Sequence, residues 1–259
     1  MVSWLLLKLI DEIITYDDTF SQDFLTKISA VTFPANIGAM TEAQPAADNR
    51  LERRKMRTRA ALIRAGQTFI AAGKLNVPVL EITQAADVGM GSFYNHFDSK
   101  EQLFQAAVND VLDELGAVLD KLTTEGEDPA ETFARSFRLA GRLFRRRPET
   151  CKVLLNTGLK MLYTDRGLAP RALRDITVGA RAGRFTVDDP VLALSAAGGA
   201  LMGLGQLLDD NPERDDREAA DRVTRDVLVM FGLPADEATE ICRRPLPDLD
   251  ELTEPDSAA

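Results

Sequence analysis

The stretch Asp87-Val88-Gly89-Met90-Gly91-Ser92-Phe93-Tyr94-Asn95-His96-Phe97-Asp98-Ser99-Lys100 decides the fold. It reads as a turn, one short helix and the start of a second helix. Just upstream, Val79 to Ala86 reads as a helical segment with Leu80, Ile82, Ala85 and Ala86 on its apolar side. Two short helices joined by a tight turn make a helix-turn-helix, whose second helix fits the DNA major groove. If that helix starts at Gly89, then Met90, Gly91, Ser92 and Tyr94 stand at its groove-facing start. Asp98 or Ser99 caps the next helix, and Gln102 is placed for a capping box if Ser99 is the cap.

Working outward, a first helix is expected from about Leu51 to Ala72, with Leu62, Gly66, Phe69 and Gly73 at helical spacing. Gly66 in mid-helix costs about 1 kcal/mol against Ala. After the motif, Phe104, Val108, Val111, Leu115, Val118 and Leu122 recur at spacings of four and three. That stripe can pack on the motif at one end and on a second domain at the other. Charge is distributed unevenly. The whole chain carries −10, but residues 50–100 hold nine Lys/Arg against four Asp/Glu, for +5. A basic segment inside an acidic chain can neutralise phosphates locally. Arg53, Arg54, Arg57 and Thr58, at the front of the first helix, are placed for such contacts.

The residues 53–104 resemble the signature of the tetracycline-repressor (TetR) family, whose pattern runs roughly A-G-V-S-x-G-T-L-Y-x-H-F-x-x-K-x-x-L. Glycine, tyrosine, histidine, phenylalanine and lysine all fall at its offsets, as Gly91, Tyr94, His96, Phe97 and Lys100. Asp87 stands where the family usually has Gly, in a turn that needs positive φ, which Asp tolerates better than most residues. Gly89 replaces the usual Ser, at small cost as an N-cap. Pro78 replaces the Thr that usually caps the first helix of the motif, so one customary phosphate contact is lost. The resemblance implies base contacts by Met90, Gly91 and Tyr94. It implies phosphate or mixed contacts by Ser92, Tyr94, Asn95, His96 and Lys100, and core roles for Phe93 and Phe97. Bidentate Arg, Asn or Gln side chains are absent from Met90 to Tyr94. Direct readout then leans on Met90 against thymine methyls, the Tyr94 hydroxyl, and DNA shape.

Beyond Gly126 only helices are evident: one from Asp128-Pro129 to Arg145-Arg146-Arg147, then Glu149 to Tyr163, Pro170 to Ala182, Val191 to Leu208, and about Asp215 to Phe231. The three Arg complement a helix dipole. The Val191–Leu208 stretch nearly meets the length of a membrane span, but it is mostly Ala and Gly, carries Gln206 and has charges close at both ends. A buried helix is expected instead. Gly232 and Pro234 are read as the stop of the last main helix.

The resemblance implies an all-α fold with an N-terminal three-helix helix-turn-helix domain and a C-terminal helical ligand-binding and dimerisation domain. The expected division is 1–49 an extension, either disordered or an upstream mis-start with Met40 the true first residue; 50–100 the DNA-binding domain; 101–234 the ligand-binding and dimerisation domain; and 235–259 a C-terminal tail. A homodimer is implied, with Ala196, Gly199, Gly203, Val223, Val227 and Met230 at its interface. A pocket for an apolar or amphipathic effector is implied, with Phe133, Phe137, Leu154, Leu155, Asn156, Leu159, Met161, Tyr163, Met202 and Gln206 as candidates. The implied activity is that of a transcriptional repressor released from a double-stranded DNA operator by a small molecule. A protein-gated regulator or an activator is the rival.

Other functions find little footing. The only histidine is His96, inside the motif, so a His-dependent catalytic site or a helical-bundle carboxylate site lacks its residues. Cys151 and Cys242 lie far apart, with no second Cys or His at metal-ligand spacing, and two free thiols suit a reducing cytoplasm. No enzyme activity, cofactor, metal or membrane partner is expected.

Overall fold

The computed structural model describes residues 44–121 and 128–247. The Met40 start and the far end of the expected tail fall outside the described residues. The described residues from Leu51 onward belong to one compact unit. Among the described residues there are ten α-helices and no strand. They are α1 (Gln44–Ala71), α2 (Val79–Ala85), α3 (Met90–Tyr94), α4 (Lys100–Asp120), α5 (Pro129–Arg146), α6 (Pro148–Thr157), α7 (Leu168–Arg181), α8 (Pro190–Asp210), α9 (Asp216–Met230) and α10 (Ala235–Arg243). A 3-10 turn, Gly158–Tyr163, follows α6, where the sequence had suggested continued α-helix. Helix α1 starts at Gln44, seven residues before Leu51, so the stretch expected to be an extension through residue 49 ends inside a helix.

Local chemistry sets the helix ends. Asp128, Asp189 and Asp215 each accept from backbone N–H groups of the first turn that follows them, satisfying donors the helix itself leaves orphaned. Ser99 caps α4 by accepting from Gln102 N–H at 3.2 Å, while Gln102 Oε1 accepts from Asp98 N–H at 2.6 Å. This is a capping box whose return bond lands one residue early.

Three apolar clusters stack along the molecule. The first joins Leu62, Val77, Ile82, Phe93, Phe97 and Leu103 around the motif. The second runs along α4 and includes Ile70 at the end of α1. The third gathers α5, α7, α8, α9 and α10 around Phe133, Phe137, Phe185 and Phe231, whose ring centroids lie 5.1–6.2 Å apart. Helix α4 contributes Leu103 to the first cluster and Leu112, Leu115 and Leu119 to the second. One continuous helix thus carries the motif's core into the C-terminal bundle. Gly66 lets α1 approach α4: a Cβ there would sit 3.3 Å from Ala107 Cβ. The close packing accounts for a residue that helix propensity alone disfavours.

Two expectations are corrected. Residues 235–247 are not a loose tail. Helix α10 buries Ala238, Ile241 and Cys242. Arg138 Nη1 donates to the Arg244 carbonyl at 2.8 Å while its Nε and Nη2 hold Asp221. Arg184 bridges Asp128 and Glu237. Pro234 is the N-cap of α10, its fixed φ suiting an extended residue before a helix as well as a stop after one. Secondly, α8 is not buried all round. It is long and apolar enough to cross a membrane, yet only 33% of its most apolar stretch is buried. Gly198 and Gly205 press inward on Leu162 and Phe144, where a Cβ would come within 2.6 Å and 2.2 Å. Gly199 and Gly203 meet nothing within 4 Å.

Candidate functional site

The turn between α2 and α3 is made by Asp87, the single non-glycine residue at positive φ (52°) among the described residues. Its N–H donates to Gln84 O at 3.1 Å and the N–H of Val88 donates to Thr83 O at 3.0 Å. This pair of bonds closes the C-terminus of α2 as a Schellman motif. Gly89 then takes an extended conformation (φ −72°, ψ 151°) and starts α3 without a side-chain cap. Pro78 likewise opens α2 with no side-chain cap.

Helix α3 is fixed from beneath. Phe93 is fully buried and Phe97 nearly so, their centroids 6.0 Å apart. Each such side chain contributes about 1.5–3 kcal/mol by leaving water, and together they clamp a helix too short to stand alone. The outer face of α3 is left to solvent: Met90 is 42% and Tyr94 58% exposed, and Gly91 and Asn95 are exposed. Tyr94 is oriented by an edge-on contact with Phe93 at 5.2 Å. Gly91 has open space where a Cβ would be, so a backbone can approach there. Ser92 is half-buried at the shoulder of the helix.

Helix α1 carries the remaining candidates. Arg53, Arg54 and Arg57 are exposed and Thr58 is half-buried. Arg59, which the motif did not single out, lies over the Phe97 ring at 4.6 Å. His96 is half-buried next to it. Burial first, then the charges of Arg59 and Lys55, hold its imidazole below the usual value of 6.5. Lys100 departs from a free phosphate ligand, since its ammonium donates to Asn76 Oδ1 at 3.5 Å. The structure thus brings Arg59 and Lys55 of α1 up to Phe97 and His96, at the end of the motif.

The C-terminal helices hold two neighbouring cavities. One, of about 40 Å³, is lined by Leu112, Leu115, Leu143, Phe144, Leu154, Met161, Leu162 and Met202, and is wholly apolar but for Cys151. The other, of about 50 Å³, is lined by Leu119, Phe133 and Phe137 and also by Asp120, Ser136, Arg171, Arg174 and Asp175. Ala140, Leu168 and Leu201 line both. Of the pocket candidates, Phe133, Phe137, Leu154, Met161 and Met202 line these cavities. The others do not. Leu155 packs half-buried on the core beside the first cavity. Leu159 and Tyr163 are 52% and 68% exposed, and the Tyr163 hydroxyl reaches Ser195 Oγ at 3.1 Å. Gln206 faces out and donates to Asp210, one turn on. Asn156 bonds the end of α1. The polar wall of the second cavity has no local sequence signal, because it converges from α4, α5 and α7.

Of the proposed interface residues, Ala196, Gly203 and Met230 are exposed and Gly199 is half-exposed. Their apolar neighbours on the same helices, Leu192 and Leu207 on α8 and Val229 on α9, are exposed too. Val223 is half-buried against the core. Val227 is 4% exposed, inside the cluster of Phe231 and Leu228, and so is core rather than interface. It sits on the inner face of an amphipathic helix, three residues from the outer Met230.

Residues 63–107 match the family model for bacterial regulatory proteins, tetR family. Residues 128–244 match that for the tetracyclin repressor-like C-terminal domain. The chain is 30% identical over 99 residues to the HTH-type transcriptional regulator TcmR of Streptomyces glaucescens; the match spans 38% of this chain and 43% of that protein, less than half its length. Among solved structures, RolR without ligand is 36% identical, with a TM-score of 0.59, 73% of this chain covered and 98% of that one. RolR in complex with resorcinol is 35% identical, with a TM-score of 0.54, 76% of this chain covered and 99% of that one. FadR from Bacillus subtilis in complex with stearoyl-CoA shares the fold at 16% identity, with a TM-score of 0.53, 65% of this chain covered and 97% of that one.

Proposed function

The chain belongs to the tetR family of bacterial regulatory proteins, and on that premise we propose that it is a homodimeric, sequence-specific transcriptional repressor released from its operator by a small molecule. The observation that carries the reading is α3: a helix of five residues clamped by Phe93 and Phe97, with Met90, Gly91 and Tyr94 presented outward. The tips of Met90 and Tyr94 read base edges. Ser92, Asn95, His96 and the α1 cations Arg53, Arg54 and Arg57, with Thr58, hold phosphates and set register. Residues 50–100 are the DNA-binding part and the helices that follow are the effector and dimerisation part.

A single helix of this length reads only a few base pairs, so two copies are needed to specify an operator. The open apolar side of α8 and α9 supplies the contact, with Gly199 and Gly203 allowing close backbone approach. The cavities beside α4 receive the effector. Each is far below the ~150 Å³ that accommodates a benzene ring, so an effector must part the helices to enter. Parting them favours a conformation in which the two α3 helices no longer match successive grooves. That differential affinity is what releases the DNA. RolR, a relative solved in complex with resorcinol, supports a small-molecule effector.

The test is selection of bound duplexes from a random-sequence pool by the full chain. An inverted repeat with half-site centres one or two helical turns apart is expected. Recovery of unpatterned sequence would exclude the reading.

A further inference from the structure

An open groove of about 560 Å³ lies outside the two internal cavities, between the end of α1, α4, α6 and the 3-10 turn after α6. Small-molecule sites commonly measure about 300–1,000 Å³ and combine apolar surface with a few polar groups. The groove falls in that range with no parting of helices, whereas the internal cavities measure about 40 and 50 Å³. Its apolar lining is Ile70, Val108 and Met161, all buried, with half-buried Phe104 and exposed Leu75. Ile70 ends α1, Phe104 and Val108 belong to α4, and Met161 to the 3-10 turn. A ligand in the groove therefore touches both the helices that carry the motif and those that follow.

The charges of the lining select the ligand. Two cations, Lys100 and Lys160, stand against one acid, Glu101. Hydrogen bonds from its own backbone N–H and from the Ser99 side chain hold the Glu101 carboxyl below the usual range, so this acid is turned to the start of α4. Neither lysine is in an ion pair among the described residues. Lys160 is exposed and makes no hydrogen bond there. Lys100 makes one, to Asn76 Oδ1 at 3.5 Å, and an ammonium has three N–H donors to give. Lys152, outside the groove, differs in facing Asp209 at 3.7 Å. Apolar surface flanked by two lysines without counter-ions complements a molecule with an apolar body and one negative end.

We propose that this groove is a second ligand site, separate from the internal cavities, which takes a small organic carboxylate: its apolar body on Phe104, Val108 and Met161, its carboxylate held by Lys100 and Lys160. Lys100 is also a candidate phosphate contact of the motif, so a carboxylate in the groove competes with DNA for one ammonium. That consequence rests on the DNA-binding reading, and the site itself does not. Asn156, which bonds the end of α1, lines the same groove, so the bound ligand also lies against the junction of α6 with α1.

Calorimetric titration of the full chain, without DNA, with 2-naphthoate, its neutral analogue 2-naphthamide, and acetate tests this. Naphthoate should bind roughly five- to twentyfold more tightly than naphthamide, the sum of two partly exposed ion pairs. Acetate, which lacks the apolar body, should bind far more weakly than naphthoate. Lys160→Gln should weaken naphthoate by roughly two- to fivefold, Lys160→Glu should weaken it further, and neither should weaken naphthamide. Lys152→Gln should leave naphthoate at its wild-type affinity. Should Lys160→Glu fail to fold by circular dichroism, Lys160→Gln decides the matter. Equal affinities for naphthoate and naphthamide, acetate binding as tightly as naphthoate, no naphthoate binding at millimolar concentration, a wild-type naphthoate affinity in the Lys160 variants, or an equal loss in Lys152→Gln would each overturn the proposal. The titration contains no operator, so such a failure leaves the DNA-binding reading to its own test.

Discussion

The side-chain amide of Asn156, on α6, donates to the backbone carbonyl of Ile70, at the end of α1, at 2.9 Å. It also reaches Ala71 O at 3.1 Å. A helix end leaves carbonyls short of partners, and here a residue of α6 supplies a donor to the end of the helix that carries Arg53, Arg54 and Arg57. Beneath this contact runs an open groove lined by Ile70, Phe104, Asn156 and Met161. Met161 also lines the apolar cavity. On the proposed function, a shift of Met161 on effector entry would bear on the Asn156 contact.

Asn156→Ala should lower the unfolding free energy by about 1 kcal/mol, as the Ala71 carbonyl loses its side-chain donor while the Ile70 carbonyl keeps the Gly73 N–H. It should also shrink the ratio of operator affinities without and with effector. Urea denaturation checks the first effect and fluorescence anisotropy the second. An unchanged ratio would mean that coupling travels by α4 alone.

Arg54→Ala should weaken binding to all DNA sequences and flatten the log–log salt dependence by about one unit. Lys100→Ala should do so less, because its ammonium already lies against Asn76. Titrations at several salt concentrations give both slopes. Identical slopes for wild type and Arg54→Ala would remove Arg54 from the interface.

Neighbouring glycines on α8 should behave oppositely. Gly199→Leu or Gly203→Leu leaves the fold intact and breaks the dimer, since each faces open space within the chain. Gly198→Leu drives into Leu162 and should destabilise the monomer itself by 1 kcal/mol or more, about the cost of overpacking. Sedimentation and thermal melts separate the two classes. A wild-type dimer in the Gly199 and Gly203 variants would place the interface elsewhere.

Burial pushes the thiol of Cys151 up to about 12 and that of Cys242 up to about 11. The nucleophilic thiolate is then scarce near pH 8. Both thiols should resist a disulfide reagent in the native state and react together on unfolding. Because these values are raised, the folded form binds protons that the unfolded form releases. The thiols' contribution to stability is full below the unfolded value near 9 and is lost as pH rises toward 11–12. Rapid labelling of either cysteine at pH 8 without denaturant would contradict this burial.

Much of this was legible in the chain. Asp87 carries the positive φ its position demanded, Phe93 and Phe97 are buried, and Ser99 with Gln102 caps α4. These are local signals, in which a turn, a cap or a short spacing has a single reading. The errors share another cause. Gly232 and Pro234 do end α9, but residues after them were read as a tail, although the acidic pair Asp236-Glu237 and the apolar set Ala238, Ile241 and Cys242 already mark a helix there. Val227 and Met230 share the apolar stripe of α9, yet which side meets the core depends on packing. The outward-facing pocket candidates Tyr163 and Gln206, and the unforeseen wall of Asp120, Ser136, Arg171 and Asp175, depend on how distant helices meet. No spacing within one helix encodes that.

The most direct measurement is a mobility-shift titration of the selected duplex with wild-type chain and with Tyr94→Ala, alongside a scrambled duplex. Wild type should bind the selected duplex as two chains per site and at least a hundredfold more tightly than the scramble. Tyr94→Ala, with its fold and dimer mass unchanged, should bind the two duplexes alike, because an exposed side chain at the reading face has been removed while Phe93 and Phe97 still clamp the helix. Retention of wild-type preference by Tyr94→Ala would contradict the assignment of α3 as the helix that reads DNA.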